Sequence, residues 1–202
     1  SDVYKRQVAT NDSINYNIKQ KKSKGDKMIT TVKFAKTKPN AIIPTKRLED
    51  AGYDVYPCFD EDYIIIKPHT TVIIPTGIAS ACDTDYCFVL HERSSTGTKG
   101  MAQRCGIIDS GYRGEWGVPI TNTNDVPIVI CKKESITDFN DFASILLFSY
   151  GEANYILYPY EKAICQALVL PVPEVEIEEY TYEELKAIPS ERGTGRLGSS
   201  GK

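Results

Sequence analysis

From Ile29 onward the chain is a succession of short apolar runs closed by turn residues. The runs are ITTVKFAK, YIIIK, TVIIPTGIA, YCFVLHE, VPIVICK, ICQALVLPV and EVEIEEY, and the connectors between them carry Pro, Gly, Asn and Asp. β-Branched and aromatic residues dominate the runs, which is the composition of half-buried strands. The strand–helix alternation that builds a parallel sheet is absent from the pattern. The expected class is therefore all-β, a sandwich or barrel, with a jelly roll as its form. One helix stands out. TYEELKAIPS places Thr181 three residues before Glu184, the spacing of a capping box, and it must stop near Pro189.

Composition narrows the function classes. The 202 residues suggest one ordinary domain, and 41% hydrophobic with 25% charged residues is a soluble globular balance. A net charge of -3 argues against a protein that coats nucleic acid, although a local cluster of donors still binds a phosphate group. No apolar run approaches the ~20 residues of a membrane span, and the start lacks the basic-then-apolar layout of a secretory signal, so a cytoplasmic location is expected. Cys58, Cys82, Cys87, Cys105, Cys131 and Cys165 are scattered, mostly in apolar stretches. They read as buried, reduced thiols. Cys82 and Cys87 are too far apart for a CxxC pair, and His69 and His91 show no ligand spacing with them, so a zinc site is not expected. Residues 1–27 are polar and lack a core pattern. They are expected to be an artefactual or disordered extension, with the natural start at Met28. Residues 28–190 form the expected domain, and 191–202 an expected mobile arm.

Three segments carry chemistry. In GIIDSGYRGEWG, glycines 106, 111, 114 and 117 punctuate a strand-like run, as in a tight hairpin. Asp109 follows two isoleucines, and desolvation there would raise its pKa and suit it to act as a base. An aspartate capping its own turn fits the same residues. The tail ERGTGRLGSSGK has glycines at 193, 195, 198 and 201, and a glycine-rich backbone can form an anion nest, with Arg192, Ser199, Ser200 and Lys202 as further donors. A plain flexible terminus has the same composition. It is not a P-loop, because Gly195 to Gly201 is one residue too long and no helix follows. HERSSTGTKG sets Arg93, Ser94 and Ser95 beside Gly97 and Lys99, a phosphate cradle or a polar loop.

In order along the chain, these segments resemble the trimeric dUTPase family. AGYDVY resembles its motif AGxDL, ERSSTGTKG resembles PRSGL, and GIIDSGYRGE resembles GxIDxxYRGE. KAICQALVLPV resembles GxRIAQxxxxP, and RGTGRLGSSG resembles RGxGGFGSTG. The resemblance spans Ala51 to the C-terminus. It implies a distorted jelly-roll (β-clip) subunit with one or two short helices, in a homotrimer whose C-terminal arm closes over a neighbouring active site. It implies hydrolysis of dUTP to dUMP and pyrophosphate by Mg²⁺-assisted in-line attack of water on the α-phosphorus, which limits uracil in DNA and supplies dUMP for dTMP synthesis.

By match, Asp109 takes the position of the general base, and Tyr112 stacks under deoxyribose and leaves no room for a 2′-hydroxyl. The segment Gln103 to Ile107, Gly106 included, reads uracil as a hairpin through backbone groups. Arg93, Ser94, Ser95 and Gly97 meet the phosphates with Gln166 nearby. Asp54 lies near Mg²⁺, through water. Arg192 reaches the γ-phosphate, and Leu197, Gly198, Ser199 and Ser200 complete the lid.

The chain departs from the family pattern in several places. Leu197 replaces an aromatic, Arg196 a glycine, and Ser95–Thr96 a Gly–Leu pair. Ala163 stands where the fourth motif has arginine, and Gln103 where many relatives have asparagine. Roughly twenty extra residues, about Ile130 to Leu157, read as an extended hairpin or a strand pair on the rim. FASILLFSY within them is apolar enough to suggest a regulatory protein partner. A regulatory binding module acting through that insert is therefore the alternative function. A dCTP deaminase is a lesser one, since the strand from Trp116 to Asn122 holds no glutamate to shuttle protons.

Overall fold

A computed structural model describes residues 30–133 and 154–195. Among these residues lie twelve strands and two short helices. The strands are β1 Lys33–Lys36, β2 Tyr53–Val55, β3 Tyr63–Ile66, β4 Thr71–Pro75, β5 Ile78–Ala81 and β6 Tyr86–His91. They continue with β7 Met101–Gln103, β8 Ile107–Ile108, β9 Gly117–Asn122, β10 Ile128–Cys131, β11 Ile156–Pro159 and β12 Cys165–Pro171. Helix α1 is Ser94–Gly97 and α2 is Tyr182–Ala187. The strands hydrogen-bond in four small sheets, ordered β1-β5, β11-β10-β3, β2-β12-β6-β8 and β4-β9-β7. The class is all-β, as the sequence pattern predicts.

Residue alternation explains how the sheets close on one core. In β9 the buried positions are Val118, Ile120 and Asn122, alternating with half-buried ones, as a two-faced strand requires. β10 is buried at all four positions: Ile128 and Ile130 face the main core, while Val129 and Cys131 face a second cluster with Tyr63, Ile65, Tyr155 and Leu157. That two-sided burial explains the unbroken apolar run IVIC. At the centre, Phe34, Phe88 and Trp116 meet edge-on or tilted, with ring centroids 5.0–5.5 Å apart. The indole Nε1–H of Trp116 donates to Ser80 Oγ at 3.1 Å, and Thr76 Oγ1 donates to the Trp116 carbonyl at 2.7 Å, so the ring is buried with its polar atom satisfied.

Several expectations are corrected. TVIIPTGIA is two strands, β4 and β5, broken at Gly77, whose φ of +66° is left-handed. GIIDSGYRGEWG is not a hairpin: β8 pairs with β6, whereas β9 pairs with β4 and β7. The segment from Gln103 to Ile107 is likewise a turn between strands of different sheets, because β7 pairs with β9 and β8 with β6. EVEIEEY forms no strand, and Val175 and Ile177 are exposed, because it pairs with no strand among the described residues. The strands that flank the insert, β10 and β11, run parallel and so are not themselves the two arms of a hairpin. The insert's central residues, 134–153, lie outside the described residues, as do residues 1–29 and 196–202. Helix α2 starts as predicted: Thr181 Oγ1 accepts from Glu184 N–H at 3.2 Å and Glu184 Oε2 accepts from Thr181 N–H at 2.9 Å. Among the described residues no helix is long and apolar enough to cross a membrane.

Replacing Ser80 by Ala leaves the buried indole N–H without its acceptor and should cost about 1–3 kcal/mol. The sole tryptophan, Trp116, provides the fluorescence signal in a urea titration. An unchanged midpoint would show that this bond contributes nothing net.

Candidate active site

Strand β12 lies between β2 and β6, and its register assembles the site. Gln166 stands opposite Asp54 on one side and His91 on the other, where β6 runs out into Glu92 and Arg93. Three segments far apart in sequence therefore meet at one sheet end. A cleft of about 720 Å³ opens there, lined on this side by Asp54, Arg93, Ser94, Ser95 and Gln166. Thr45, Lys46, Arg47, Asp50, Ala51 and Gly52 line it too, with Thr45 bridged to Asp54. Gly52 must lack a side chain, because a Cβ there would run into the Gln166 amide.

Arg93 is held from three directions. Its Nε lies 2.9 Å from Asp54 Oδ1 and its second terminal nitrogen donates to Asp54 Oδ2 at 3.2 Å, a forked pair. The remaining terminal nitrogen donates to Ser95 Oγ at 3.3 Å and to the Ala163 carbonyl at 3.5 Å. That carbonyl also accepts from the buried Tyr158 hydroxyl at 2.6 Å. Both charged side chains are two-thirds buried, so removing either one leaves the other partly desolvated and unpaired, which costs more than breaking an exposed pair such as Lys186–Glu183. Helix α1 follows at once. Thr96 is fully buried, accepts from Arg93 N–H at 3.0 Å and donates back to the Arg93 carbonyl at 2.9 Å. The Ser95 hydroxyl is thereby set beside the guanidinium and Ser94 lines the same cleft, a donor set suited to phosphate oxygens.

The turn after β7 is held from two sides. Glu92 Oε1 accepts from Gln103 N–H at 3.0 Å, and Leu90 N–H donates to the Gly106 carbonyl at 2.7 Å. The Gln103 amide donates to the carbonyls of Arg104 and Cys105. Cys105 adopts φ +50°, which a non-glycine residue tolerates only when its surroundings impose it. Gly97 leaves space for the Glu92 carboxylate: a Cβ there would stand 3.1 Å from Oε2.

Asp109 and Tyr112 lie on the turn from β8 to β9, closed by Tyr112 N–H donating to the Asp109 carbonyl at 3.1 Å. The Tyr112 hydroxyl donates to the Glu115 carbonyl at 3.1 Å across Gly114, where a Cβ would strike the ring. Arg113 donates to the carbonyls of Ser80, Ser110 and Tyr112, and Glu115 accepts from Thr37 Oγ1 at 2.8 Å and Gly77 N–H at 3.0 Å. The charged pair of YRGE is thus the frame that sets Asp109 and Tyr112. Among the described residues Asp109 is exposed and its neighbour Ile107 is 69% exposed, so they do not supply the expected desolvation.

The structure brings together Asp54, Arg93, Ser94, Ser95 and Gln166, while Asp109, Tyr112 and Arg192 do not line that cleft. Leu197, Gly198, Ser199 and Ser200 lie outside the described residues. Sequence reading missed the Thr45–Asp50 wall, whose signal was the basic pair Lys46–Arg47 just before AGYDVY, and it missed Glu92 and Thr96. Asp54 does not offer a free carboxylate for a metal, and among the described residues no group of three or more His, Cys, Asp or Glu could hold an ion. The cysteines divide. Cys58, Cys131 and Cys165 are buried, Cys82 and Cys87 half-buried, and Cys105 is exposed, against the expectation of buried thiols throughout.

The model of one protein family, dUTPase, matches residues 38–139. A deoxyuridine 5′-triphosphate nucleotidohydrolase from Nautilia profundicola is 30% identical over 175 residues, covering 85% of this chain and 99% of the relative. A Staphylococcus bacteriophage 80alpha dUTPase mutant solved with dUpNHpp superimposes with a TM-score of 0.60 at 23% identity, covering 85% of this chain and 99% of that one. A mutant dUTPase from phage phi11 of S. aureus, described with a coordinated structural Mg(II) ion, has a TM-score of 0.56 at 21% identity over 76% of this chain and 99% of that one.

Burial pushes the Cys165 thiol up to about 12 and the Cys131 thiol up to about 11, so neither forms a thiolate at neutral pH. A thiol reagent should label exposed Cys105 in the native protein and reach Cys131 and Cys165 only on denaturation. Labelling of Cys165 in the folded state, read by peptide mass, would show that the β2-β12-β6 sheet opens.

Proposed function

The chain belongs to the dUTPase family, and from that membership we propose that it hydrolyses dUTP to dUMP and pyrophosphate. The proposal extends to the fine mechanism, in which water attacks the α-phosphorus in line. The observation that carries it is the convergence of Arg93, Ser94, Ser95 and Gln166 at one sheet end, with the Asp109–Tyr112 turn held rigidly by Arg113 and Glu115. In this reading Arg93, kept in its rotamer by Asp54, presents its donors to phosphate oxygens. Asp109 accepts the proton of the attacking water, Tyr112 packs against deoxyribose, and the Gln103–Ile107 turn reads uracil through its backbone. Arg192 and Ser199–Ser200 close over the triphosphate. The cellular consequence is removal of dUTP before it enters DNA, together with a supply of dUMP.

The donor set fits a Mg²⁺ ion that arrives with the triphosphate and is held through water, because the carboxylate of Asp54 is shared with Arg93 and can accept only from the ion's waters. Bound there, the ion neutralises triphosphate charge. A homotrimer supports the same reading. Exposed Asp109 and Ile107 need cover from another copy to become a dry site, and the stretch 172–188, which joins no sheet among the described residues, exposes Val175, Ile177, Tyr180 and Leu185 to a partner.

With Mg²⁺ and each of dUTP, dCTP, dTTP and UTP, the wild type should release pyrophosphate from dUTP selectively. Asp109→Asn should bind nucleotide normally and lose about 10²–10⁴-fold in turnover, the usual contribution of a general base. A near-normal rate would remove Asp109 from that role. Truncation before Arg192 should leave a folded protein that hydrolyses poorly, and a light-scattering mass equal to one 22.5 kDa chain would sink the trimer.

A further inference from the structure

We infer that Tyr158 is a positioning residue for Arg93, acting through the Ala163 carbonyl from a neighbouring sheet, an inference that rests on the reading of Arg93 as a phosphate ligand given above. Tyr158 lies on β11, in the β11-β10-β3 sheet, opposite Ile130, whereas Arg93 follows the end of β6 in the β2-β12-β6-β8 sheet. Tyr158 is 1% exposed, and its hydroxyl donates to the Ala163 carbonyl at 2.6 Å. The same carbonyl accepts from a terminal nitrogen of Arg93 at 3.5 Å, and that nitrogen also donates to Ser95 Oγ at 3.3 Å. A carbonyl oxygen has two lone pairs and can serve both donors. Asp54 holds the other two guanidinium nitrogens. The fork on Asp54 fixes one edge of the guanidinium, and the Ala163 carbonyl limits its swing at the other.

The local backbone explains why the hydroxyl matters. Ala163 is buried and carries only a methyl group, so the turn from β11 to β12 meets Arg93 through its main chain. The Ala163–Ile164 peptide is held at both ends. Its N–H donates to the carbonyl of Val55, the residue after Asp54, at 2.8 Å, and its C=O lies under the Tyr158 hydroxyl. The peptide is therefore aimed, and its oxygen faces the guanidinium. Tyr158 also belongs to the main apolar core, where a phenylalanine would fill nearly the same volume with no polar atom to satisfy. Placing a hydroxyl there is accounted for by the carbonyl it holds. Burial pushes the Tyr158 phenol above its ordinary value even beside the Arg93 charge, so it remains a proton donor through the neutral range. Small misplacements of a group that aligns a substrate are costly, which gives the aim of this carbonyl its consequence.

The test is a double-mutant cycle on affinity for the imido analogue dUpNHpp with Mg²⁺, read by calorimetry. It compares wild type, Tyr158→Phe, Arg93→Lys and the double variant, with fluorescence of Trp116 confirming the fold. Tyr158→Phe removes only the hydroxyl and should weaken binding about three- to tenfold, the effect of one hydrogen bond. Arg93→Lys keeps a positive charge but cannot fork on Asp54. Adding Tyr158→Phe to it should therefore cost less than about twofold more. Equal losses in the two backgrounds would make the hydroxyl a general support of the fold and overturn the inference. Unchanged binding in Tyr158→Phe would also overturn it. A wild type that fails to bind dUpNHpp would remove the proposed function itself, whereas a wild type that binds, with no coupling between Tyr158 and Arg93, would remove only this role.

Discussion

The forked pairing of Arg93 with Asp54 is the contact on which the site's geometry turns. It joins the end of β6 to β2 across β12, and β12 can sit between them only in the register that sets Gln166 opposite both Asp54 and His91. A one-residue slip would send Cys165 and Ala167, both buried, to the outer face and carry Gln166 inward. The hydrophobic core thus enforces the polar arrangement: burying alternate residues of β12 leaves the glutamine facing the cleft. Burial of Cys165 beside Asp54 and Arg93 is part of the same packing.

A division of labour follows between charges that bind and charges that build. Arg113 and Glu115 belong to the family-like motif YRGE, yet both spend their hydrogen bonds on backbone and neighbouring side chains of this chain. They hold the turn on which Asp109 and Tyr112 project. Lys46 works similarly in the loop before β2, donating to the carbonyls of Arg47, Leu48 and Asp50 while Arg47 pairs with Asp50. The cleft is accordingly framed by rigid loops, and rigidity is what a site needs to align a triphosphate with a water.

The single chain holds an incomplete surface for this chemistry. Ile107 and Tyr112 are exposed beside the strands that carry the site, and the acidic, apolar-alternating segment after β12 joins no sheet edge among the described residues. Alternation of this kind is strand-forming only when an edge is available, since an isolated strand leaves its backbone groups to water. That is why EVEIEEY reads as a strand and forms none here.

By itself the sequence determined the all-β class and the start and stop of the helix at Thr181 and Pro189, and it singled out Asp54, Arg93, Ser94, Ser95 and Gln166, which the fold brings to one cleft. These rest on local rules: β-branched runs, capping spacing, and motifs whose residues lie within a few positions of one another. Tertiary structure decided what local rules cannot reach. It split TVIIPTGIA at Gly77, paired β8 with β6 in place of a hairpin, made β10 and β11 parallel, and turned part of HERSSTGTKG into a helix pinned by Thr96. It also recruited the Thr45–Asp50 wall and Glu92, which no motif spacing singles out. The reason is physical: strand pairing and cleft formation join residues tens of positions apart, and their energy lies in shared core burial and register that no short window of sequence contains.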